Sequence, residues 1–297
     1  MTMKRFKKIC IVGVDSLAAV DLAAIRSLSA SPIVQSKFIA DPVKMSKVIG
    51  SSDCLVVSRH VDISGKIFNY CPNLKFIGVL GTGIDNVDLK AAVQHGIQVA
   101  GIADYCNRET AEFIVAAILS VTRRLASKRW KRDVQSLGEL NLGIIGMGRV
   151  GLELAKLGVS FGAEVFYNSK SRKKEAEELG ARYLEIDDLL ERCDAISLHV
   201  PPGTKVLFTD HFRRISAKPR LLINTCIGRV MDRKAFMGWI KNAENMALFD
   251  SLGGKGYGDI AKRRNVVIYN EPAYLTRATN ARRSGLSVEL LREALSR

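Results

Sequence analysis

The chain has 297 residues, of which 47% are hydrophobic and 25% are charged, with a formal net charge of +15. This composition is that of a globular chain long enough for two cores, and it excludes a disordered or low-complexity protein. The cations concentrate at residues 123–132, 170–174 and 262–264, but aromatic residues make up only 7% and no nucleic-acid-binding motif is present. The charge therefore favours solubility and attraction of anionic ligands over a specific nucleic-acid partner.

Cysteine and histidine usage favours a reducing compartment and gives no sign of a metal site. The six cysteines form no C-x-x-C pair, and several lie inside apolar runs where a free thiol packs as a small hydrophobic group. The four histidines have no ligand spacing. The first apolar run meets Asp15 after a few residues, and no stretch approaches the ~20 apolar residues of a membrane helix. We therefore expect a cytoplasmic protein with no membrane partner.

Strands and helices alternate along the whole chain. Amphipathic periodicity predicts helices such as 110–125 and 149–161. The polar, basic stretch 123–138 is predicted to be a helix end and a connection into a new domain. This alternation is typical of parallel sheets flanked by helices, so the predicted fold class is α/β. Short apolar runs predict strands at 9–14, 54–57, 75–80, 142–145, 164–167, 195–199, 221–224, 246–249 and 266–269.

The most informative motif is a glycine-rich turn between the strand at 142–145 and the helix at 149–161. In a G-x-G-x-x-G turn, the first glycine makes the tight turn, the second lets the backbone approach a pyrophosphate, and the third lets helix pack on strand. The helix N-terminus then offers N–H groups and a positive dipole to the phosphates. The motif predicts a dinucleotide-binding site made by Gly146, Met147, Gly148, Arg149, Val150 and Gly151.

The following strand indicates which dinucleotide is bound. It ends at Asn168, near the point where an acidic residue would hold the 2′-hydroxyl of the adenosine ribose. The turn instead carries Asn168, Ser169, Lys170 and Arg172 without a carboxylate. Cations would attract a 2′-phosphate. We therefore predict NADP(H) in preference to NAD(H), with a solvated basic turn as the alternative.

Longer stretches resemble the D-isomer-specific 2-hydroxyacid dehydrogenase family, and the resemblance covers nearly the whole chain. It implies two Rossmann-like or flavodoxin-like domains with parallel sheets and a cleft between them, which holds the active site. Residues 1–103 plus 273–297 would form the substrate domain, and residues 104–272 the NAD(P)-binding Rossmann domain. The stretches that carry the resemblance are 72–92, 95–99, 110–112, 184–194, 196–202 and 221–228, followed by Asp232.

The resemblance also implies roles for individual residues. Backbone N–H groups around Leu80 and Gly81 would meet a substrate carboxylate. A homodimer is implied as well, although residues 123–140 are shorter than the arm that helps to form the family's dimer. The dinucleotide site would extend along further strand ends, with Thr225, Cys226 and Asp250 on the nicotinamide side. Its implied members after the glycine-rich turn are His199, Val200, Pro201, Thr225, Cys226, Ile227 and Asp250.

Three positions depart from what the resemblance implies. The family uses an Arg, a His and a Glu in catalysis, whereas Ile227 stands at the Arg position, Glu271 at the His position and Lys255 near the Glu position. Isoleucine cannot neutralise a carboxylate, and a glutamate donates a proton near neutral pH only when its pKa is raised. Arg229 is a candidate replacement for the substrate clamp. Lys255 and Glu271 are candidates for a swapped acid–base pair.

Two functions follow from this combination of an intact glycine-rich turn and a changed catalytic set. The first is an NAD(P)(H)-dependent oxidoreductase that acts on a CH–OH or C=O group of a non-standard, anionic small-molecule substrate. The alternative is a catalytically inactive dinucleotide-binding sensor or scaffold protein. The family resemblance favours the oxidoreductase.

Overall fold

The computed structural model describes residues 5–14, 17–37, 39–125, 127–128 and 130–296. Asp15, which ends the first apolar run, and Arg129, in the first basic run, lie outside the described residues. The chain divides into two compact units, residues 1–105 with 276–297 and residues 106–275. The first unit is therefore discontinuous in sequence, and the second is a single stretch.

Twelve strands and ten α-helices are found within the described residues. The strands are β1 (Ile9–Val12), β2 (Val34–Ser36), β3 (Cys54–Ser58), β4 (Phe76–Leu80), β5 (Gln98–Gly101), β6 (Asn141–Ile145), β7 (Glu164–Asn168), β8 (Arg182–Tyr183), β9 (Ala195–Leu198), β10 (Leu221–Asn224), β11 (Met246–Phe249) and β12 (Val266–Ile268). The helices are α1 (Ala19–Ser27), α2 (Pro42–Ile49), α3 (Leu89–Gln94), α4 (Asn107–Thr122), α5 (Arg149–Ser160), α6 (Lys174–Glu178), α7 (Ile186–Arg192), α8 (Thr209–Arg214), α9 (Arg233–Trp239) and α10 (Arg277–Ser296).

The first unit is built on a parallel five-stranded sheet in the order β2-β1-β3-β4-β5. The central strands β1 and β4 are buried along their whole length, as expected of a parallel sheet covered on both faces. Helix α10 covers part of one face, since a Cβ placed on Gly78 of β4 would lie 3.1 Å from Cδ2 of Leu290. The C-terminal helix thus completes a core that begins at the other end of the chain.

The second unit is built on a parallel seven-stranded sheet in the order β12-β11-β10-β9-β6-β7-β8. Its central strands are apolar runs that are almost entirely buried. Local signals fix the helix starts: the Asp232 carboxylate accepts a hydrogen bond from the Ala235 N–H at 2.9 Å and so caps α9. The predicted α/β class with two parallel-sheet, Rossmann-like domains is confirmed.

Three strands were not predicted, namely β2, β5 and β8. They have three, four and two residues, and none of them contains a fully buried residue. Such short, half-exposed strands lack the apolar run used to find the others. The predicted strand at 9–14 was too long, because the chain turns at Gly13 with φ of 63°. The predicted helix 110–125 begins earlier and ends earlier, as α4.

Residues 123–140 lie inside the second unit rather than at its border. Lys128 Nζ donates to the carbonyl oxygens of Ala261 at 2.5 Å and Val266 at 2.6 Å. The indole of Trp130 donates to the Glu244 carbonyl at 2.8 Å. Several members of this basic run therefore have partners within their own unit.

All six cysteines are thiols, and five of them are buried. Burial raises the pKa of Cys10 and of Cys193 to about 12, so both remain protonated at neutral pH. Within the described part of the chain, no group of His, Cys, Asp or Glu side chains could hold a metal ion. None of the helices found there has the length and apolar character needed to cross a membrane.

Candidate dinucleotide and substrate sites

The predicted dinucleotide site of the second unit lies where the order of strands in its sheet reverses. Strands β6 and β9 are neighbours, and the chain leaves them toward opposite edges of the sheet. Ligands of open α/β sheets bind in the crevice at this point, beyond the carboxyl ends of the strands. Gly146 follows β6 and His199 follows β9, and the His199 N–H donates to the Ile145 carbonyl at 2.7 Å. The structure thus brings these two predicted segments together.

The three glycines of the motif are required for different physical reasons. Gly146 has φ of 99°, and a Cβ there would overlap the carbonyl oxygen of His199. A Cβ on Gly151 would overlap the carbonyl oxygen of Gly146. A Cβ on Gly148, by contrast, would meet no protein atom within 4 Å. Gly148 therefore leaves open space beside the first turn of α5, where helix N–H groups such as those of Val150 and Gly151 are available to an anion. Met147 is buried in the core of the unit.

The turn after β7 holds the residues predicted to select the cofactor. The Asn168 amide donates to the Leu184 carbonyl at 2.9 Å, which fixes the end of the strand. Lys170 is exposed, and Ser169 is half-buried. Arg172 Nε donates to Glu177 Oε1 at 2.8 Å. Glu177 is thus a carboxylate that the sequence analysis missed, because α6 supplies it from five residues further along.

The pKa of Glu177 is lowered first by the hydrogen bond from Arg172 and then by the hydrogen bond from Tyr167. Glu177 is therefore ionised at neutral pH and offsets part of the charge of Arg172. Lys170, like Lys173, has no ion-pair partner among the described residues.

The predicted nicotinamide side is built on buried polar groups that hold strand ends in place. The Asp250 carboxylate follows β11 and accepts from the N–H groups of Gly253 at 2.6 Å and Ala273 at 2.8 Å. Burial raises the pKa of Asp250 above its ordinary value, while these N–H groups oppose the rise. The Cys226 thiol donates to the Leu198 carbonyl at 3.0 Å, and burial raises its pKa to about 11.

The remaining predicted residues on this edge lie beside those groups. Burial lowers the pKa of His199 to about 4, so its imidazole is neutral at pH 7, with Nε2 2.9 Å from Ser197 Oγ. The Val200 N–H lies 3.3 Å from the Cys226 sulfur. Thr225 and Ile227 are half-buried, and Pro201 is exposed.

The predicted carboxylate-binding turn lies at the end of β4 in the first unit. Leu80 is the buried last residue of that strand. The Gly81 N–H donates to the Val79 carbonyl at 2.9 Å, so this predicted donor already has an acceptor. The N–H groups of Thr82 and Gly83, in contrast, have no acceptor among the described residues. Free backbone donors therefore begin one residue later than expected.

Comparisons with known proteins agree with this architecture. The family model for the D-isomer specific 2-hydroxyacid dehydrogenase NAD binding domain matches residues 113–255. The chain is 32% identical over 250 residues to a glyoxylate reductase of Aeropyrum pernix, covering 76% of this chain and 74% of that protein. The chain belongs to the D-isomer-specific 2-hydroxyacid dehydrogenase family.

Solved structures show the same fold at lower identity. A D-lactate dehydrogenase from Aquifex aeolicus, complexed with NAD and lactic acid, has a TM-score of 0.81 at 22% identity and covers 97% of this chain and 95% of its own. An acyclic imino acid reductase in complex with NADPH and D-Arg has a TM-score of 0.82 at 20% identity, with 97% of each chain covered. This D-2-hydroxyacid dehydrogenase homologue is therefore an oxidoreductase for a CH–OH or C=O group, with a nicotinamide dinucleotide cofactor.

The predicted catalytic residues of this dehydrogenase homologue lie in two loops of the second unit. Lys255 and Glu271 are both exposed, and no ion pair joins them in the described structure. The Glu271 carbonyl accepts from the Ser251 N–H at 3.2 Å, so the backbone of Glu271 is fixed beside the end of β11. Arg229 is exposed and near Tyr257, since its charge opposes the rise in the Tyr257 pKa that burial causes. The swapped acid–base pair stays a prediction.

Proposed function

We propose that this chain is an NADP(H)-dependent oxidoreductase of the D-2-hydroxyacid dehydrogenase type, with an altered active site. Its substrate would be an anionic small molecule other than a simple 2-oxo acid. The open space at Gly148 is the observation that carries the proposal. Packing within the protein explains the glycines at 146 and 151, whereas the absence of a side chain at 148 is what the close approach of a pyrophosphate would require.

The residues of the second unit fit a phosphorylated dinucleotide. The backbone from Gly146 to Gly151 would hold the pyrophosphate, with the first turn of α5 providing N–H donors. The nicotinamide half would be lined by residues that follow strand ends on the same edge of the sheet, namely Val200, Pro201, Thr225, Cys226, Ile227 and Asp250. When bound, the nicotinamide ring supplies or accepts a hydride. The protein would supply binding, orientation and the proton.

The preference for NADP(H) rests mainly on Lys170. Arg172 shares its Nε donor with Glu177, but its terminal nitrogens have no acceptor in the described structure. Both cations, with Asn168 and Ser169 beside them, would face a 2′-phosphate, whereas a 2′-hydroxyl would gain little from them.

The altered chemistry rests on Ile227 and Glu271. A side chain without charge at position 227 leaves a substrate carbonyl without the cation that polarises it in the family. Glu271 would donate the proton, and the hydrogen bond from the Ser251 N–H to its carbonyl supports its position near Asp250. When substrate excludes water, desolvation would favour the neutral form of the Lys255–Glu271 pair, in which the proton lies on Glu271 and can pass to the substrate. Arg229 would contribute to binding the anionic substrate.

We assign the two units accordingly: residues 1–105 with 276–297 as the substrate domain and residues 106–275 as the dinucleotide domain. We also propose that the protein is a cytoplasmic homodimer. Since residues 123–140 pack on their own unit through Lys128 and Trp130, a dimer interface would not use them as an extended arm. Sedimentation equilibrium of the purified chain would test the dimer.

Titration of the intrinsic fluorescence with NADPH and NADH tests the cofactor assignment. We expect NADPH to bind at least several-fold more tightly than NADH, and Lys170→Asp to reverse that order. Lys262→Asp, which makes the same charge change at another exposed site of the second unit, should leave the order unchanged. Equal affinities, or tighter NADH binding, in the wild-type protein would refute the NADP(H) assignment.

A further inference from the structure

We infer that Arg59 is a substrate-binding residue that recognises a carboxylate at the carboxyl edge of the first unit's sheet. The inference rests on the proposed function, which calls for an anionic substrate and leaves it without a cation at Ile227. The sequence gives no role to Arg59, because it is an isolated cation after an apolar run. The pairing of β3 with β4 is what places it beside the predicted carboxylate-binding turn.

The position of Arg59 in the sheet is that of a ligand-binding residue. In the order β2-β1-β3-β4-β5, the chain leaves β1 toward one edge and β3 toward the other. The crevice between such strands is the usual ligand site of an open parallel sheet. Arg59 is the first residue after β3, and its neighbour Ser58 is paired with Leu80, so Arg59 and Gly81 leave the sheet side by side.

The arginine side chain lies across a turn that only glycine allows. A Cβ placed on Gly81 would be 2.8 Å from Cβ of Arg59 and 3.0 Å from its Cγ and Cδ. A Cβ on Gly83 would be 3.0 Å from Nε and 3.2 Å from Nη2 of the same residue. The aliphatic stem therefore covers Gly81, and the guanidinium lies against Gly83. The two glycines bring a cation to the backbone N–H groups of Thr82 and Gly83.

One ion pair orients the guanidinium of Arg59 and leaves its other hydrogen-bond donors available. Arg59 Nη2 donates to Asp85 Oδ1 at 2.6 Å, with side-chain exposures of 16% for Arg59 and 54% for Asp85. The other N–H groups of Arg59 have no acceptor in the described part of the chain. A planar guanidinium with free donors in a fork suits the two oxygens of a carboxylate. Asp85 would hold the fork in place while the remaining donors bind the ligand.

The backbone beneath this site is fixed by a buried asparagine. The Asn86 side chain donates to the Val61 carbonyl at 2.7 Å, and the Ile63 N–H donates to the Asn86 carbonyl at 2.7 Å. These bonds join the loop after β3 to the loop after β4. A preorganised donor loses less freedom on binding, so the site can hold a small anion tightly.

The test uses the full chain and oxalate as the carboxylate probe, with its dissociation constant measured by calorimetry with and without saturating NADPH. Arg59→Gln should weaken oxalate binding by about 10- to 100-fold, the usual effect of losing charged hydrogen bonds. It should leave the NADPH affinity unchanged. Arg26→Gln removes the same charge from an exposed position of α1 in the same unit and should change neither affinity.

A second pair of variants separates binding from a purely structural ion pair. Arg59→Asp combined with Asp85→Arg restores the ion pair, so thermal stability should return while oxalate binding stays weak. Arg59→Lys, which keeps the charge but loses the fork, should bind oxalate with intermediate affinity. If Arg59→Gln lowers the unfolding temperature, the double variant and Arg59→Lys still test the inference.

Equal oxalate affinity in the wild type and in folded Arg59→Gln would overturn the inference, as would a wild type that binds NADPH but no oxalate. A wild type that binds oxalate through Arg59 but not NADPH would support the inference and refute the proposed cofactor. The two failures are therefore distinguishable.

Discussion

Replacing Gly148 with alanine should separate cofactor binding from folding. The backbone at Gly148 has φ of −88° and ψ of −162°, which alanine adopts without strain. The added Cβ would meet no protein atom within 4 Å. Gly→Ala at a compatible position stabilises a protein by ~0.4–1 kcal/mol through the unfolded chain. Because Gly148 is the N-cap of α5 and alanine is a poorer N-cap than glycine, this gain is offset and the melting temperature should change little.

The same methyl group should be costly to the dinucleotide. A pyrophosphate that approaches the Gly148 backbone would have to retreat from the N–H donors of α5, and each hydrogen bond to a charged group contributes ~1.5–3 kcal/mol. We expect NADPH to bind at least ~10-fold more weakly. Gly146→Ala should behave differently, because its Cβ overlaps the His199 carbonyl and its φ of 99° is strained for alanine.

The assay is a fluorescence titration with NADPH and a thermal melt of each variant. Gly238→Ala is the control, because its Cβ would also lie in open space within the second unit but in α9. It should keep the wild-type NADPH affinity. The reasoning is refuted if Gly148→Ala binds NADPH as tightly as the wild type, or if it is destabilised as much as Gly146→Ala.

Four further results are expected. Steady-state assays should show negligible reduction of glyoxylate, pyruvate or hydroxypyruvate with either cofactor, because Ile227 offers no cation and a positioned proton donor contributes ~10²–10⁴ in rate. Glu271→Gln should abolish turnover of the true substrate without changing NADPH affinity, whereas the same substitution in a non-catalytic sensor would have no effect. In urea unfolding, the free energy of unfolding of the wild type should fall by no more than about 3 kcal/mol through His199 as the pH falls from 6.5 to 4. Folding lowers the pKa of His199 from 6.5 to about 4, so only the unfolded chain takes up the proton in that range. His199→Gln should lack this part of the pH dependence, and an unchanged slope would contradict the assignment. Gel-shift assays at ~150 mM salt should show only weak nucleic-acid binding that falls steeply with salt, and submicromolar, sequence-selective binding would contradict the interpretation of the charge.

The sequence is sufficient to predict features that depend on local chemistry. The strand, turn and helix around Gly146–Gly151 can be recognised because glycine spacing and apolar periodicity are both local signals. The edge strands β2 and β8 could not be found, since their residues are too few and too exposed to form a pattern. Features that depend on which strands lie side by side were also missed.

Arg59 and Glu177 illustrate this second limit. Arg59 gains its role only when β3 and β4 are neighbours, which brings it over a glycine 22 positions away. Glu177 reaches Arg172 because α6 turns back toward the end of β7. For Lys255 and Glu271, the sequence suggests a pair that the described structure does not bring into contact. Both residues are exposed, and no ion pair joins them.

The discontinuous first unit sets an order of folding that differs from the order of synthesis. Residues 1–105 leave the ribosome before α10, but α10 covers one face of their sheet. Leu291 of α10 is fully buried, and Ser284 Oγ accepts the N–H of Ala18. The second unit has all of its residues once position 275 has been made. Since domains generally fold as units during translation, the second unit can reach its native state while the first sheet still exposes apolar surface around Gly78. Part of a sheet that is synthesised before the second unit is therefore buried only after that unit is complete, and this nascent surface is where a chaperone would be needed.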